Sequence, residues 1–228
     1  MLPATIYKEQ RVFPGNRKPV LEVICPHQCN QPLGSLASFS RKLLDSSPYG
    51  NAFGTRVVAH PEFAFGFSYY MKKSVKAAEK EVLALCAEKD AIVIFNITEG
   101  IRDSRMMLAG VVNYGYLASA GRMRKAKKIE NGNGEVNTSL RAIEKNGLYI
   151  VSLVCYEATL KLRNARPDQI AIVPAFGFPA KQAEHNVSAG KAFIVNDLLG
   201  KRACGEFREG DFWVRKSGEE ATYFWHWA

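Results

Sequence analysis

The chain has 228 residues, 47% of them hydrophobic, and a formal charge of +9, which is enough apolar material for one sizeable core and fits a single domain over 1–228. No uninterrupted apolar stretch approaches the ~18 residues of a membrane span, and "MLPATIYKEQR" lacks the apolar core of a signal peptide, so a soluble, cytoplasmic protein with no membrane span is expected. Five scattered cysteines, at 25, 29, 86, 155 and 204, do not form the pattern of a disulfide-stapled secreted domain and read as reduced thiols.

In chain order, "VLEVIC" (20–25) and "TRVVAH" (55–60) predict strands, and "SLASFSRKLLDSS" (35–47) between them has apolar residues at helical spacing. "SVKAAEKEVLALCAEKD" (74–90) predicts a helix with Cys86 on its apolar face. "AIVIFNI" (91–97) and "MMLAGVVNYG" (106–115) follow as strands. After a charged stretch at 121–130, "IENGNGEVNTS" (129–139) reads as a loop suited to a lid, because its two Asn-Gly pairs favour turns. "LYIVSLV" (148–154), "QIAIVPA" (169–175) and "KAFIVND" (191–197) are further strands, and the tail "DFWVRKSGEEATYFWHWA" reads as a hairpin turning at Ser217-Gly218. Alternating strands and helices imply α/β layering, with functional groups gathered at the carboxyl ends of strands.

The basic residues are spread out apart from "KKSVK" (72–76) and "GRMRKAKK" (121–128). The first of these, which opens an amphipathic helix, reads as a solvated surface, and a nucleic-acid partner is not expected. Cys25, His27 and Cys29 suggest a metal clip, but a structural zinc site needs four ligands and no second pair has suitable spacing, so neither metal nor cofactor is expected.

Three strand ends carry chemistry. "VVAHPEFAFG" (57–66) ends a buried strand at Pro61 and Glu62, where Phe63, Phe65 and Phe67 are placed to surround the carboxylate with apolar surface. The basic run ends in "MRKAKK", and "VSLVCYE" (151–157) brings Cys155 to the end of an apolar run. A carboxylate, an ammonium and a thiol form a workable set for acyl transfer: the first accepts the thiol proton, the thiolate attacks a carbonyl or nitrile carbon, and the cation stabilises the oxyanion.

The order Glu after "VVAHP", Lys in "MRKAK" and Cys in "VSLVCYE" resembles the nitrilase superfamily of carbon–nitrogen hydrolases over roughly residues 20–200. That resemblance implies a four-layer α-β-β-α sandwich of nitrilase type and a homodimer. It implies Glu62 as general base, Lys125 as oxyanion-stabilising cation and Cys155 as nucleophile, with the Tyr156 N–H as a second oxyanion donor. The "RK" step at 124–125 selects Lys125 over its neighbours Lys127 and Lys128. Glu135, in "GNGE", stands where some members have a second glutamate near the lysine, and Glu157 is a supporting or turn-stabilising group. A strand-to-helix turn after Val154 exposes the thiol as a nucleophile elbow does.

Only about ten residues, "KQAEHNVSAG", separate "IVPAFGFPA" (172–180) from "KAFIVND", so the C-terminal half is shortened relative to the family, and part of a pocket wall or dimer surface is missing or rebuilt. The expected function is thiol-dependent hydrolysis of a non-peptide C–N bond in a small amide or nitrile. The alternatives are an N-acyltransferase of apolipoprotein N-acyltransferase type, whose relatives are embedded in the membrane, and a catalytically dead binding protein with a basic face.

Overall fold

The structure is a computed structural model that describes residues 18–27, 30–67, 69–102, 107–130, 133–178, 182, 183, 186, 192–199, 205–207, 213–218 and 220–227. Gln28, Cys29 and Cys204 lie outside the described residues. Cys25 is buried and packs between the two sheets described below, while His27 Nε2 lies 2.7 Å from the Thr222 hydroxyl.

The first half is a seven-stranded sheet. β1 (Pro19–Pro26), β2 (Thr55–Ala59) and β3 (Ala91–Arg102) run parallel at its centre. Their connections are α1 (Leu36–Asp45) and α2 (Lys72–Lys89), which ends on Asp90 in the left-handed region at φ 46°. β4 (Leu108–Ser119) and β5 (Arg122–Lys127) then extend the sheet as an antiparallel meander. The hairpin between them turns at Gly121, whose φ of +65° suits glycine.

The second sheet has the order β12-β11-β10-β8-β7, and a two-stranded pair β6-β9 flanks it. Here β6 spans Glu135–Asn137, β7 Ala142–Lys145, β8 Leu148–Ser152, β9 Lys161–Arg163, β10 Gln169–Ala175, β11 Ala192–Asp197 and β12 Gly205–Phe207. The chain closes on the first sheet: β13 (Trp213–Ser217) and β14 (Ala221–Trp227) form the expected terminal hairpin, and β14 pairs antiparallel with β1. The stretch 129–139 is only partly a loop, because β6 pairs parallel with β9.

The strand period of two separates the faces. Val93, Phe95, Ile97 and Tyr116 face α1 and α2. Ile92, Ile94 and Leu117 face the second sheet, packing against Ile150, Ile170, Ile172 and Ile194. The layers are therefore helices, sheet, sheet and an outer layer. That outer layer packs Leu160, Phe178 and Ala183 on Val151, Val173, Phe193 and Val195, and it includes the helical residues 182, 183 and 186. Among the described residues it is a short fourth layer, in keeping with the short connection after β10.

Candidate active site

The site is built from the residues that follow β2 and β5 of the first sheet and β8 of the second. β2 ends at Ala59, and the His60 N–H donates to the Ile94 carbonyl at 2.9 Å, which fixes the start of the loop that follows. The loop closes through Ala64 N to Pro61 O (3.2 Å) and Gly66 N to Phe63 O (2.9 Å). This holds Glu62 in the interior at 1% exposure.

Two donors converge on Glu62 Oε1. Asn113 Nδ2 donates at 3.1 Å from β4, and Lys128 Nζ makes an ion pair. Asn113 is in turn held by Asn96 of β3. A buried carboxylate needs such partners, since burying it alone costs far more than a lost hydrogen bond.

The cation is Lys128, and Lys125 lies elsewhere. On β5, Lys125 pairs with Tyr116 and Lys127 with Tyr114, and the β4 strand directs both tyrosines to the helix-covered side. Lys125 accordingly pairs with Glu99 and sits 4.2 Å from the Tyr114 ring centroid. Lys128, one residue beyond β5, continues the ladder through its N–H to Asn113 O at 2.8 Å. It thereby falls on the opposite face, toward Glu62. Strand parity therefore puts Lys128, and not the Lys125 of the Arg-Lys step, beside Glu62.

Cys155 follows the extended residues Leu153 and Val154 and opens a short 3-10 helix, Cys155–Thr159. Its φ is +49°, a left-handed conformation uncommon for a non-glycine residue and often found where a side chain must be aimed. Its Sγ donates to the Phe176 carbonyl at 3.6 Å. Burial pushes the thiol up to about 11; Glu62 raises it further and Lys128 lowers it. Burial outweighs the neighbouring cation, so the thiol is raised and not lowered. The resting group is a thiol within the electrostatic reach of a carboxylate and an ammonium, and it needs a base to react.

The sequence-derived candidates distribute as follows. Glu62 and Cys155 come together, and Tyr156 follows Cys155 in the same turn. Glu135 does not join them: it is exposed on β6, and Lys161, 2.9 Å away, holds its carboxyl below the usual range. Glu157 is fully buried behind the cysteine turn, where it accepts from Val154 N (2.7 Å), Ile129 N (2.9 Å) and the Arg141 guanidinium. Phe65 turns away to pack on His60, with ring centroids 5.1 Å apart. Phe63 stacks on Phe67, and both pack edge-on to Phe176, whose carbonyl accepts from Cys155. These three rings form one aromatic cluster, joined to the thiol through the Phe176 backbone. Asn113 and Arg141 were missed by sequence reasoning, since a polar residue in an apolar strand and an arginine after a loop carry no motif.

No protein-family model and no curated protein sequence matches the chain. Solved structures do. The chain is similar to an amidase from Nesterenkonia sp. AN1, at 15% identity and a TM-score of 0.58, over 90% of this chain and 92% of that one. It is similar to a variant of that amidase in complex with butyramide, at 13% identity and a TM-score of 0.57, over 92% of each chain. A further variant, described as an amidase from the nitrilase superfamily, matches at 13% identity and a TM-score of 0.55, over 90% of each chain. At these identities the likeness establishes architecture: the chain has the fold of a nitrilase-superfamily amidase.

Proposed function

We propose that the protein is a member of the nitrilase superfamily and a thiol-dependent hydrolase of small amides, with Cys155 as nucleophile, Glu62 as general base and Lys128 as the oxyanion-stabilising cation. The observation that carries this reading is the convergence of Glu62 and Lys128, a buried ion pair, on a thiol held at positive φ. The Glu62 carboxylate takes the thiol proton, and the sulfur attacks the amide carbon. Lys128 Nζ and the Tyr156 N–H face the oxygen as its negative charge develops. The tetrahedral species collapses as protonated Glu62 passes its proton to the leaving nitrogen, releasing ammonia and leaving a thioester. Water then attacks the thioester carbon while Glu62 accepts its proton. The C–S bond breaks, the proton returns to sulfur, and the acid departs.

The raised thiol ionisation fits this assignment. A thiol near 11 is almost wholly protonated at neutral pH, so proton removal by a carboxylate in contact is part of the reaction rather than a preliminary to it. The related fold supports the same chemistry: one Nesterenkonia amidase variant, 14% identical, shows covalent addition of the acetamide moiety of fluoroacetamide at its active-site cysteine.

Ammonia release from short aliphatic amides, butyramide among them, tests the reading. Turnover by the parent and none by Cys155→Ala is the expected result. Turnover that survives in Cys155→Ala, or a parent inert toward amides and nitriles alike, overturns it.

A further inference from the structure

Glu157 divides its two oxygens between the segments that carry the reacting groups. Oε2 accepts from Val154 N, the residue before Cys155, at 2.7 Å. Oε1 accepts from Ile129 N, the residue after Lys128, at 2.9 Å. These segments belong to different sheets: Lys128 leaves β5 of the first and Cys155 leaves the end of β8 in the second. No ladder hydrogen bond joins β5 to β8, so neither sheet's register sets the distance between the lysine and the cysteine. A carboxylate that only capped the 3-10 turn would need Val154 N alone; the bond to Ile129 serves no secondary structure.

Arg141 supplies the countercharge from the 3-10 turn before β7, donating to Oε2. It is 3% exposed, and its Nη1 has no hydrogen-bond partner among the described residues. That atom lies against Gly115, where an added Cβ would overlap it. Both side chains of this pair are almost wholly buried, so each charge depends on the other for its place.

We propose that Glu157 is a positioning residue that sets the separation of Lys128 from Cys155 across the two sheets, with Arg141 as its fixed counterion. This rests on the amide-hydrolase reading for its catalytic consequence, and the experiment below separates the two. In Glu157→Gln, the amide oxygen stays with the two donors, Val154 N–H and Arg141, and the NH2 group then meets the Ile129 N–H. Only the tie to the lysine segment is lost. Ile129→Pro removes the same tie from the other side, while Ile129→Ala keeps the N–H and trims the side chain.

Butyramide turnover and the pH dependence of Cys155 alkylation by iodoacetamide, mapped by peptide mass, read the effect. In Glu157→Gln, kcat is expected to fall about 10²-fold with KM within about twofold, as for a small misplacement of a reacting group. Its alkylation profile should move to higher pH, because Lys128 no longer lowers the thiol. Ile129→Pro should fall at least about tenfold below Ile129→Ala in kcat and shift in the same direction relative to it. Equal behaviour of the two Ile129 variants, or wild-type kcat and profile in Glu157→Gln, overturns the positioning role. If Glu157→Gln does not fold, the Ile129 pair decides alone. A parent without turnover whose alkylation profile still moves in Ile129→Pro and not in Ile129→Ala removes the hydrolase reading and leaves the positioning role standing.

Discussion

The Lys128 ammonium donates to the Glu62 carboxylate from the first residue beyond β5, with only 14% and 1% of the two side chains exposed. Lys125, three residues earlier, pairs with Glu99 on the far side of the same sheet. If Lys128 serves the oxyanion, Lys128→Ala should lower turnover about 10²–10³-fold, the usual loss for one such donor. Lys127→Ala should be within about 0.5 kcal/mol of the parent in stability and unchanged in turnover. Lys125→Ala, losing a partly exposed pair and its contact with Tyr114, should cost about 1 kcal/mol at most and leave turnover intact. Steady-state kinetics with urea melts checks all three; a Lys125→Ala enzyme that is folded but inactive would return the lysine role to the Arg-Lys step.

Among the described cysteines, Cys155 should alkylate first. Cys86, on the buried face of α2, is pushed up to about 12 by burial, and Cys25 is fully buried between the sheets. Cys155 keeps 6% exposure, a neighbouring base and a neighbouring cation. Brief iodoacetamide treatment followed by peptide mapping should therefore mark Cys155, and the label should vanish first in Glu62→Gln, which lacks the base. Equal labelling of Cys86 and Cys155 would show that proximity to Glu62 and Lys128 does not activate the thiol.

How far the sequence carries can be judged from particular elements. The strands rich in Val and Ile, β1, β2, β3, β8, β10 and β11, are legible because their burial on both faces leaves long apolar runs. Both helices and the terminal hairpin are legible from their periods. β6, β7, β9 and β12 are not, being three or four residues long with no apolar pattern of their own. The carboxylate and thiol of the site were legible through their strand ends. The lysine was not, because "GRMRKAKK" reads as a charged stretch until Gly121 is recognised as a hairpin turn; once it is, the strand period places Lys125 and Lys127 on one face and Lys128 on the other. Glu157 was legible as a supporting group beside the cysteine, but its bond to Ile129, and the place of Arg141, depend on contacts between sheets, and Asn113 reaches Glu62 across neighbouring strands of the first sheet; only the folded chain supplies these.

His60 gives the fold an acid sensitivity. It is fully buried, its Nε2 lies 2.8 Å from Ser40 Oγ, and burial pushes it down to about 3. In the unfolded chain it titrates near 6.5, so between these values the unfolded state binds a proton that the folded state does not. The stability is complete above about 6.5 and is lost as pH falls. By pH 5 the loss reaches roughly 2 kcal/mol, at 1.36 kcal/mol per unit. Urea midpoints at pH 7 and pH 5 should show this drop in the parent, and His60→Leu, which keeps the packing on Phe39 and Phe65, should flatten it. An unchanged slope in His60→Leu would assign the acid sensitivity to other groups.

Gly115 allows the two sheets to meet behind the site. It lies on β4 opposite Asn96, on the face toward the second sheet. A Cβ there would overlap Arg141 Nη1 and stand 2.6 Å from Val154 Cγ2. Arginine ends usually swing aside, but this one is buried and held by Glu157, and Val154 is fixed one residue before Cys155. Gly115→Ala should therefore push the cysteine turn away from β4, at a cost of about 1–3 kcal/mol for overpacking. It should also lower turnover well beyond what that loss of folded protein explains. Gly110, farther out on the same strand, has nothing among the described residues within 4 Å of an added Cβ, so Gly110→Ala serves as the backbone control. The two variants differ by one methyl group each, and comparing their urea midpoints and kcat isolates the contact. Should Gly115→Ala match Gly110→Ala in both, Arg141 and Val154 yield without strain and the close approach of the sheets at this point does not hold the site.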